Sequence, residues 1–476
     1  MRTCRRSAGV LVALAALLVL AVPAEARTVV AKSGPYVHGS FETLRPKVIV
    51  RPPRVDGYIT RMHARLVDAQ GRHVRIQRVM LHHVVFINQG RFPGDRKPKC
   101  GARFGEPFYG TGEEDQRLDL PAGYGYRTRP KDVWKMQAML MSHSVKRQKV
   151  FVEWTMEVTK RRLAPVTPYW VRVTNCRNEP SWSVPGGGGP GSIQLKTHEW
   201  NVPADGLIVA GGAHLHGGAH NITLRQPRCR GRRLMGSDPS YGMPDDVMYK
   251  VRPFLHEPGP MNTAWFTSRS GIAIHRGDVL RATAAYDNEH PHMGVMGVWH
   301  IYVAEGAAAA RRARATDRCA PLPADAREQG TDMPHRPSPP VVRVPLTTLK
   351  NGVPTDIDHP KGKVHFYGED ARPLVRVTSI FRPVRMSVPA GTTVTWRFQD
   401  VIPHKVSLAN GPRAMGSPTL MGGRRYRRRF TVPGTYQMFC YLHPMTMHQE
   451  LIVRPSGVAP DPGEGSEAVG EEQPND

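Results

Sequence analysis

Residues 150–158 read Val-Phe-Val-Glu-Trp-Thr-Met-Glu-Val, with an apolar side chain at every even position and mostly polar ones between. A period of two sends successive side chains to opposite faces. This stretch therefore predicts a half-buried antiparallel strand, and it does not fit an amphipathic helix, whose apolar residues recur at three and four. Shorter apolar runs follow at 84–87, 206–210 and 298–303, separated by turn-rich loops such as Pro185-Gly186-Gly187-Gly188-Gly189-Pro190. No long helical periodicity competes with them. The expected class is all-β: two jelly-roll or β-sandwich domains followed by a further β-sandwich.

A chain of 476 residues is too long for one core, and two to four domains are expected. Residues 1–26 combine basic Arg2, Arg5 and Arg6 with an apolar run at 10–22 and the small-x-small pattern Ala24-Glu25-Ala26, the layout of a secretory signal peptide. The protein is therefore expected to be exported: extracellular, on the cell surface or periplasmic. No later stretch approaches ~18 consecutive apolar residues, so no transmembrane segment is expected after signal removal. Residues 305–340 lack apolar periodicity and end in Pro-His-Arg-Pro-Ser-Pro-Pro, which predicts a flexible linker. Residues 455–476, acidic and rich in Gly and Pro, predict a disordered tail. A body is left at 28–304, divided into 28–180 and 181–304, with a compact module at 341–454.

The 66 basic and 40 acidic residues give a net charge of +26. Loss of the signal segment removes three Arg and one Glu and leaves about +24. Outside the cytoplasm such an excess favours an anionic cell-surface polymer, an anionic lipid surface or an acidic redox partner over nucleic acid. The densest patch is Arg424-Arg425-Tyr426-Arg427-Arg428-Arg429, for which a solvated basic loop is the competing explanation. Five cysteines follow the signal segment. Cys100, Cys176, Cys229 and Cys319 can form two bridges in any of three pairings, which leaves Cys440 for other use.

Cys440 sits in Phe-Cys-Tyr-Leu-His-Pro-Met-Thr-Met-His, which gathers a thiol, imidazoles and thioethers in one turn. A blue-copper site needs one thiolate, two imidazoles and a weak axial thioether. A strand ending at Cys440 with a tight loop holding His443 supplies two of these, and His404 can arrive from a neighbouring strand. With the flanking runs at 386–396 and 430–436, this order resembles the cupredoxin family, which includes plastocyanin, amicyanin and pseudoazurin, over nearly the whole module. The resemblance implies a type 1 copper site of His404, Cys440, His443 and an axial methionine, either Met445 or Met447. The family's register favours Met447, although Gln449 stands where the family has Gly.

The body holds a second set of soft ligands: His82-His83, a lone His143 ahead of the alternating strand, His214-x-His216, and Met293 and Met296. His214 and His216 are two apart, so a strand presents both on one face. His82 and His83 would point to opposite faces unless a bulge or strand end intervenes. Imidazole with thioether suits copper. Ordinary packing or hydrogen bonding is the competing explanation for each group. The order of these residues is similar to that of the copper type II, ascorbate-dependent monooxygenases, among them peptidylglycine alpha-hydroxylating monooxygenase, and the region also resembles the stress-upregulated nodulin-like proteins. The former resemblance implies one copper on His82, His83 and His143 and another on His214, His216 and Met296, on separate domains across a cleft.

Two expectations follow. In the first, an exported copper redox protein uses its cupredoxin to feed electrons, taken from a redox partner protein or a small-molecule reductant, to a monooxygenase-like body. In the second, the body is a non-enzymatic scaffold that holds copper or a surface polymer. A hydrolase is disfavoured, since neither Gly-x-Ser-x-Gly nor His-Glu-x-x-His occurs.

Overall fold

The computed structural model describes residues 26–89, 105–144, 146–175, 180–251, 257–330, 334–339, 342–343, 349–350, 353–354, 360, 362–444, 446–458 and 467–468. The expected signal peptide, apart from residue 26, lies outside these, as do Cys100, Cys176 and Met445. Among the described residues no helix is long and apolar enough to cross a membrane.

Strand Gln148–Thr159 pairs antiparallel with Arg27–His38 on one side and Gly57–Val67 on the other. Its even positions Val150, Val152, Trp154, Met156 and Val158 are all buried, and each such side chain contributes ~1.5–3 kcal/mol of burial free energy. The sheet does not stop at the end of the first half. Tyr124–Thr128 pairs in parallel with Ala164–Arg172, which pairs with Gly297–Ala304, followed by Gly206–Leu215, Trp265–Ile274 and Arg327–Gln329. One ten-stranded sheet thus runs through both halves of the body.

A five-stranded sheet that includes Val79–Asn88, Glu106–Gly112 and Trp134–Ser142 builds the first core with it, Phe86 meeting Trp154 with ring centroids 5.2 Å apart. A four-stranded sheet of Ile193–Asn201, Val279–Asp287, Ala219–Gln226 and Arg232–Ser237 does the same for the second. None of the sheets closes into a barrel, and the all-β class holds.

The C-terminal module is a two-sheet sandwich. One sheet orders Val406–Asn410, Gly434–Cys440, His448–Arg454, Arg385–Pro389, His365–Phe366 and Glu467–Ala468. The other orders Phe381–Arg382, Leu374–Val377, Thr393–Phe398 and Arg425–Arg429. Trp396, Phe398, Phe430 and Leu451 fill the space between them. The Glu467–Ala468 pairing gives part of the expected disordered tail a place in the sheet.

Residues 305–340 depart from the flexible linker that composition predicts. Ala307–Ala315 is an α-helix whose Ala309 and Ala313, four apart and hence on one face, pack on the first core. The alanine-rich run that lacks apolar periodicity has the highest helix propensity of all. Cys319 is bonded to Cys229, and Arg327–Gln329 extends the long sheet. Beyond it, Ser240 Oγ donates to the Pro334 carbonyl at 2.5 Å and Tyr241 N to the Arg336 carbonyl at 3.0 Å, so this segment is strapped along the body.

Candidate metal centres

Strand Gly434–Cys440 is held between Val406–Asn410 and His448–Arg454, which brings Cys440 to the sheet end opposite Val406. His404 forms an isolated bridge with Leu420 just before its strand, and His443 lies in the turn after Cys440, where its N–H donates to the Cys440 carbonyl at 3.0 Å. The Cys440 sulfur is 3.5 Å from His443 Nδ1 and 3.8 Å from His404 Nδ1. Among the described residues this is the one trio of His, Cys, Asp or Glu donor atoms that converges within 4.8 Å.

Cys440 and His404 are fully buried, and Cys440 is a free thiol. His404 Nε2 lies 3.4 Å from Asp400 Oδ2, which turns Nδ1 toward the sulfur. Burial lowers the His404 pKa despite Asp400, favouring the neutral, ligating imidazole. The Lys405 backbone N–H points at the sulfur from 3.4 Å, a donor suited to a thiolate. Buried Met447 closes the loop: its carbonyl accepts from Cys440 N and its N–H donates to the His443 carbonyl. The donor set of one sulfur and two ring nitrogens, with buried Met447 bonded through its backbone to the same turn, fits copper.

In the body, the antiparallel pairing of Val79–Asn88 with Trp134–Ser142 slips between Leu81 and His83. This bulge is what presenting two consecutive histidines together requires. The rings of His82 and His83 are 5.2 Å apart, and His82 is also 5.2 Å from His216. His214 and His216 face each other, Nε2 to Nε2, at 3.1 Å.

The two expected half-sites are therefore one cluster, not two sites separated by a cleft. The physical reason is the segment 113–116, which stitches the two halves together. Glu113 bonds His82 Nδ1 at 2.6 Å, Glu114 bonds His214 Nδ1 at 3.1 Å, and Gln116 Nε2 donates to the Ala213 carbonyl at 2.9 Å. Sequence reading passed over Glu113 and Glu114; adjacent carboxylates following Gly110-Thr111-Gly112 were the available signal.

His143 does not join this cluster. Its N–H bonds the Arg78 carbonyl, four residues before His82, a distance of roughly 13 Å along a strand, and its Nδ1 donates to the Ile76 carbonyl at 3.1 Å. Met296 does approach, lining the same cavity as His82, His83 and His216, with Met293 beside it.

Electrostatics in the cluster follow burial. Desolvation, with His214 and Arg45 nearby, pushes His82 down to about 3 and holds His83 well below its usual range. Burial and the adjacent Glu114 raise Glu113 to about 8. Desolvation opposes charge on His214, but Glu114 outweighs it and raises its pKa. His83 Nδ1, Glu113 Oε2 and Glu114 Oε2 are buried with no hydrogen-bond partner among the described residues, although the donor atoms here do not converge within 4.8 Å as those of His404, Cys440 and His443 do.

A cavity of about 630 Å³ is lined by residues of both the body and the C-terminal module. His82, His83 and His216 form one wall, and Lys405, Phe439 and Tyr441 of the C-terminal module form another. Tyr441, covalently next to Cys440, accepts a hydrogen bond from Arg45 of the body, and Arg413 Nη1 bonds the Gly186 carbonyl at 2.5 Å. Ala414 N adds a bond to the Pro185 carbonyl at 2.8 Å.

Fold and site together define a β-sandwich body carrying a cupredoxin-like module. The family described as Stress up-regulated Nod 19 (SURNod19) matches residues 149–306. Amicyanin-alpha of Methylorubrum extorquens is 33% identical over 67 residues, 13% of this chain and 56% of that protein, so the chain spans little more than half the length of that relative. Two solved structures are similar over less than a fifth of this chain. A reduced-state amicyanin mutant shares 28% identity over 18% of this chain and 84% of its own, with a TM-score of 0.17. A purple cupredoxin from Nitrosopumilus maritimus shares 27% identity over 17% of this chain and 99% of its own, with a TM-score of 0.16.

Proposed function

We propose that the chain is an exported copper protein whose C-terminal module exchanges single electrons with a second metal centre in the body. The observation that carries this reading is the convergence of His404, Cys440 and His443 beside buried Met447. Copper held there supplies one-electron exchange with little rearrangement. The residues around it do the rest. Asp400 orients His404, the Lys405 N–H faces the sulfur, and the packed strands keep water from the thiol. Tyr441, next to Cys440, is hydrogen-bonded to Arg45, and both line the same cavity as His82 and His83. In the body, Glu113 and Glu114 fix the tautomers and orientations of His82 and His214, as partners of metal-binding imidazoles do.

The electron donor is a small reductant or a redox protein reaching the module. A hydroxylating body of the two-site kind would need His143 beside His82 and His83, and the strand register keeps it away. That departure favours a second reading, in which the body holds metal or a surface polymer without catalysis.

Metal counting with the visible spectrum separates these readings. The expected result is an intense thiolate-to-copper band, abolished by Cys440→Ser, with further copper lost in a His82→Ala/His214→Ala variant that keeps the band. A colourless copper-loaded protein removes the electron-transfer reading. One copper per chain, unchanged by the body variant, removes the second centre. Oxygen consumption with a reductant, compared between the parent and His214→Ala, tests whether the body reacts at all.

A further inference from the structure

The C-terminal module's smaller sheet carries a feature that its register alone reveals. Arg382 pairs with Arg376, Arg376 with Arg397, and Arg397 with Arg425. One arginine from each of four adjacent strands thus forms a straight row across the sheet, at ~4.8 Å per strand and about 14 Å in all. All four are exposed, while their strand neighbours Val375, Val377, Trp396 and Phe398 are buried, so the row lies on the solvent face. Arg427, opposite Thr395, and Arg429, opposite Thr393, widen it. None of the four in the row forms an ion pair among the described residues.

Like charges directly opposite one another on a sheet destabilise it. Solubility does not require them in register, because scattered charges serve it equally well. Such a row has a use when a partner brings matching negative charge.

We infer that this face binds a linear polyanion, a chain bearing regularly spaced phosphate or carboxylate groups, laid across the strands along Arg382, Arg376, Arg397 and Arg425. A protein partner fits less well, since interface cores are apolar and depleted of charge. Here the sole large apolar side chain exposed on the four strands is Leu374. The regular spacing suits a repeating chain and not a lone anion. Tyr426 and Arg428, on the opposite side of the same strand, line the cavity shared by the body and the module, so the row faces away from it and polymer binding leaves that cavity open.

The test uses the intact copper-loaded protein with long-chain inorganic polyphosphate, with polygalacturonate, and with phosphatidylcholine vesicles containing phosphatidylglycerol. Arg376→Gln/Arg397→Gln/Arg425→Gln is compared with Lys160→Gln/Arg161→Gln/Arg162→Gln, which removes the same charge from exposed positions on the body.

The expected result is a loss of about tenfold or more on at least one polymer for the first variant only. Its salt dependence should be shallower by about 2–3 in logarithmic slope, as for lost phosphate contacts. Its Tm should not fall, and its visible spectrum should not change. Preference for polyphosphate or for polygalacturonate identifies the anion, and either supports the inference. Equal weakening by both variants, no weakening by the first, or stronger binding to vesicles than to either polymer overturns it. None of these outcomes depends on the copper assignment, which the spectrum reports separately.

Discussion

At the scale of single residues, the body's imidazoles are set by what surrounds them more than by their own chemistry. His143 is buried, its Nδ1 donating to the Ile76 carbonyl, and burial pushes its pKa down to about 4 from an ordinary 6.5. The folded protein therefore binds fewer protons than the unfolded chain between about pH 6.5 and 4. The stability associated with neutral His143 is complete above that window and is lost as pH falls through it. In the metal-free protein, His143→Gln should flatten the dependence of unfolding free energy on pH there by up to about 1.4 kcal/mol per pH unit, one proton's worth. Urea titrations at stepped pH check this; an unchanged slope would show that His143 is already neutral in the unfolded chain or charged in the folded one.

The strands and turns turn these residues into sites. Gly112 pairs across the sheet with His83, and a Cβ at this position would lie 2.5 Å from the His82 carbonyl oxygen and 2.9 Å from Glu114 Oε2. Gly112→Ala should destabilise the fold by about 1–3 kcal/mol, as overpacking does. It should also lower the metal content of the body while leaving the visible band of the module unaffected, which metal analysis beside the spectrum would show. The segment after the body depends in the same way on a covalent anchor. Cys229 and Cys319 are 90 residues apart in sequence, and their bond pins the helix Ala307–Ala315 and the strand Arg327–Gln329. Replacing both by serine should cost about 2–4 kcal/mol, read by thermal unfolding, with faster amide exchange concentrated in 307–329.

Across the whole molecule, the module rests on the body through Tyr441 with Arg45, Arg413 with Gly186, and Ala414 with Pro185. Arg45 also contributes to holding the His82 and His83 pKa values down, so it touches the electrostatics of both walls of the cavity. A hydrogen bond to a charged group is worth about 1.5–3 kcal/mol. Arg45→Leu with Tyr441→Phe should therefore reduce the docked population by about tenfold or more. The measurement is hydrogen exchange at the cavity wall together with the rate at which an electron placed on the module reaches the body; unchanged values for both would mean that the loop contacts at Pro185 and Gly186 suffice.

Much of this was legible in the chain itself. The period of two at 150–158, the bulge demanded by consecutive His82 and His83, the shared face of His214 and His216, and the grouping of Cys440 with His443 are local matters, decided by backbone geometry over a few residues. Other features were not local and were read wrongly or missed. The register that sets His143 beside Arg78, the sheet that joins both halves of the body, the insertion of Glu113 and Glu114 between the two histidine pairs, and the alignment of four arginines from separate strands all depend on pairings between distant segments. Sequence periodicity states which face a side chain takes but carries no information about which strand lies next to it. That choice is made only when whole sheets pack, because the free energy that selects it is the burial of both faces together.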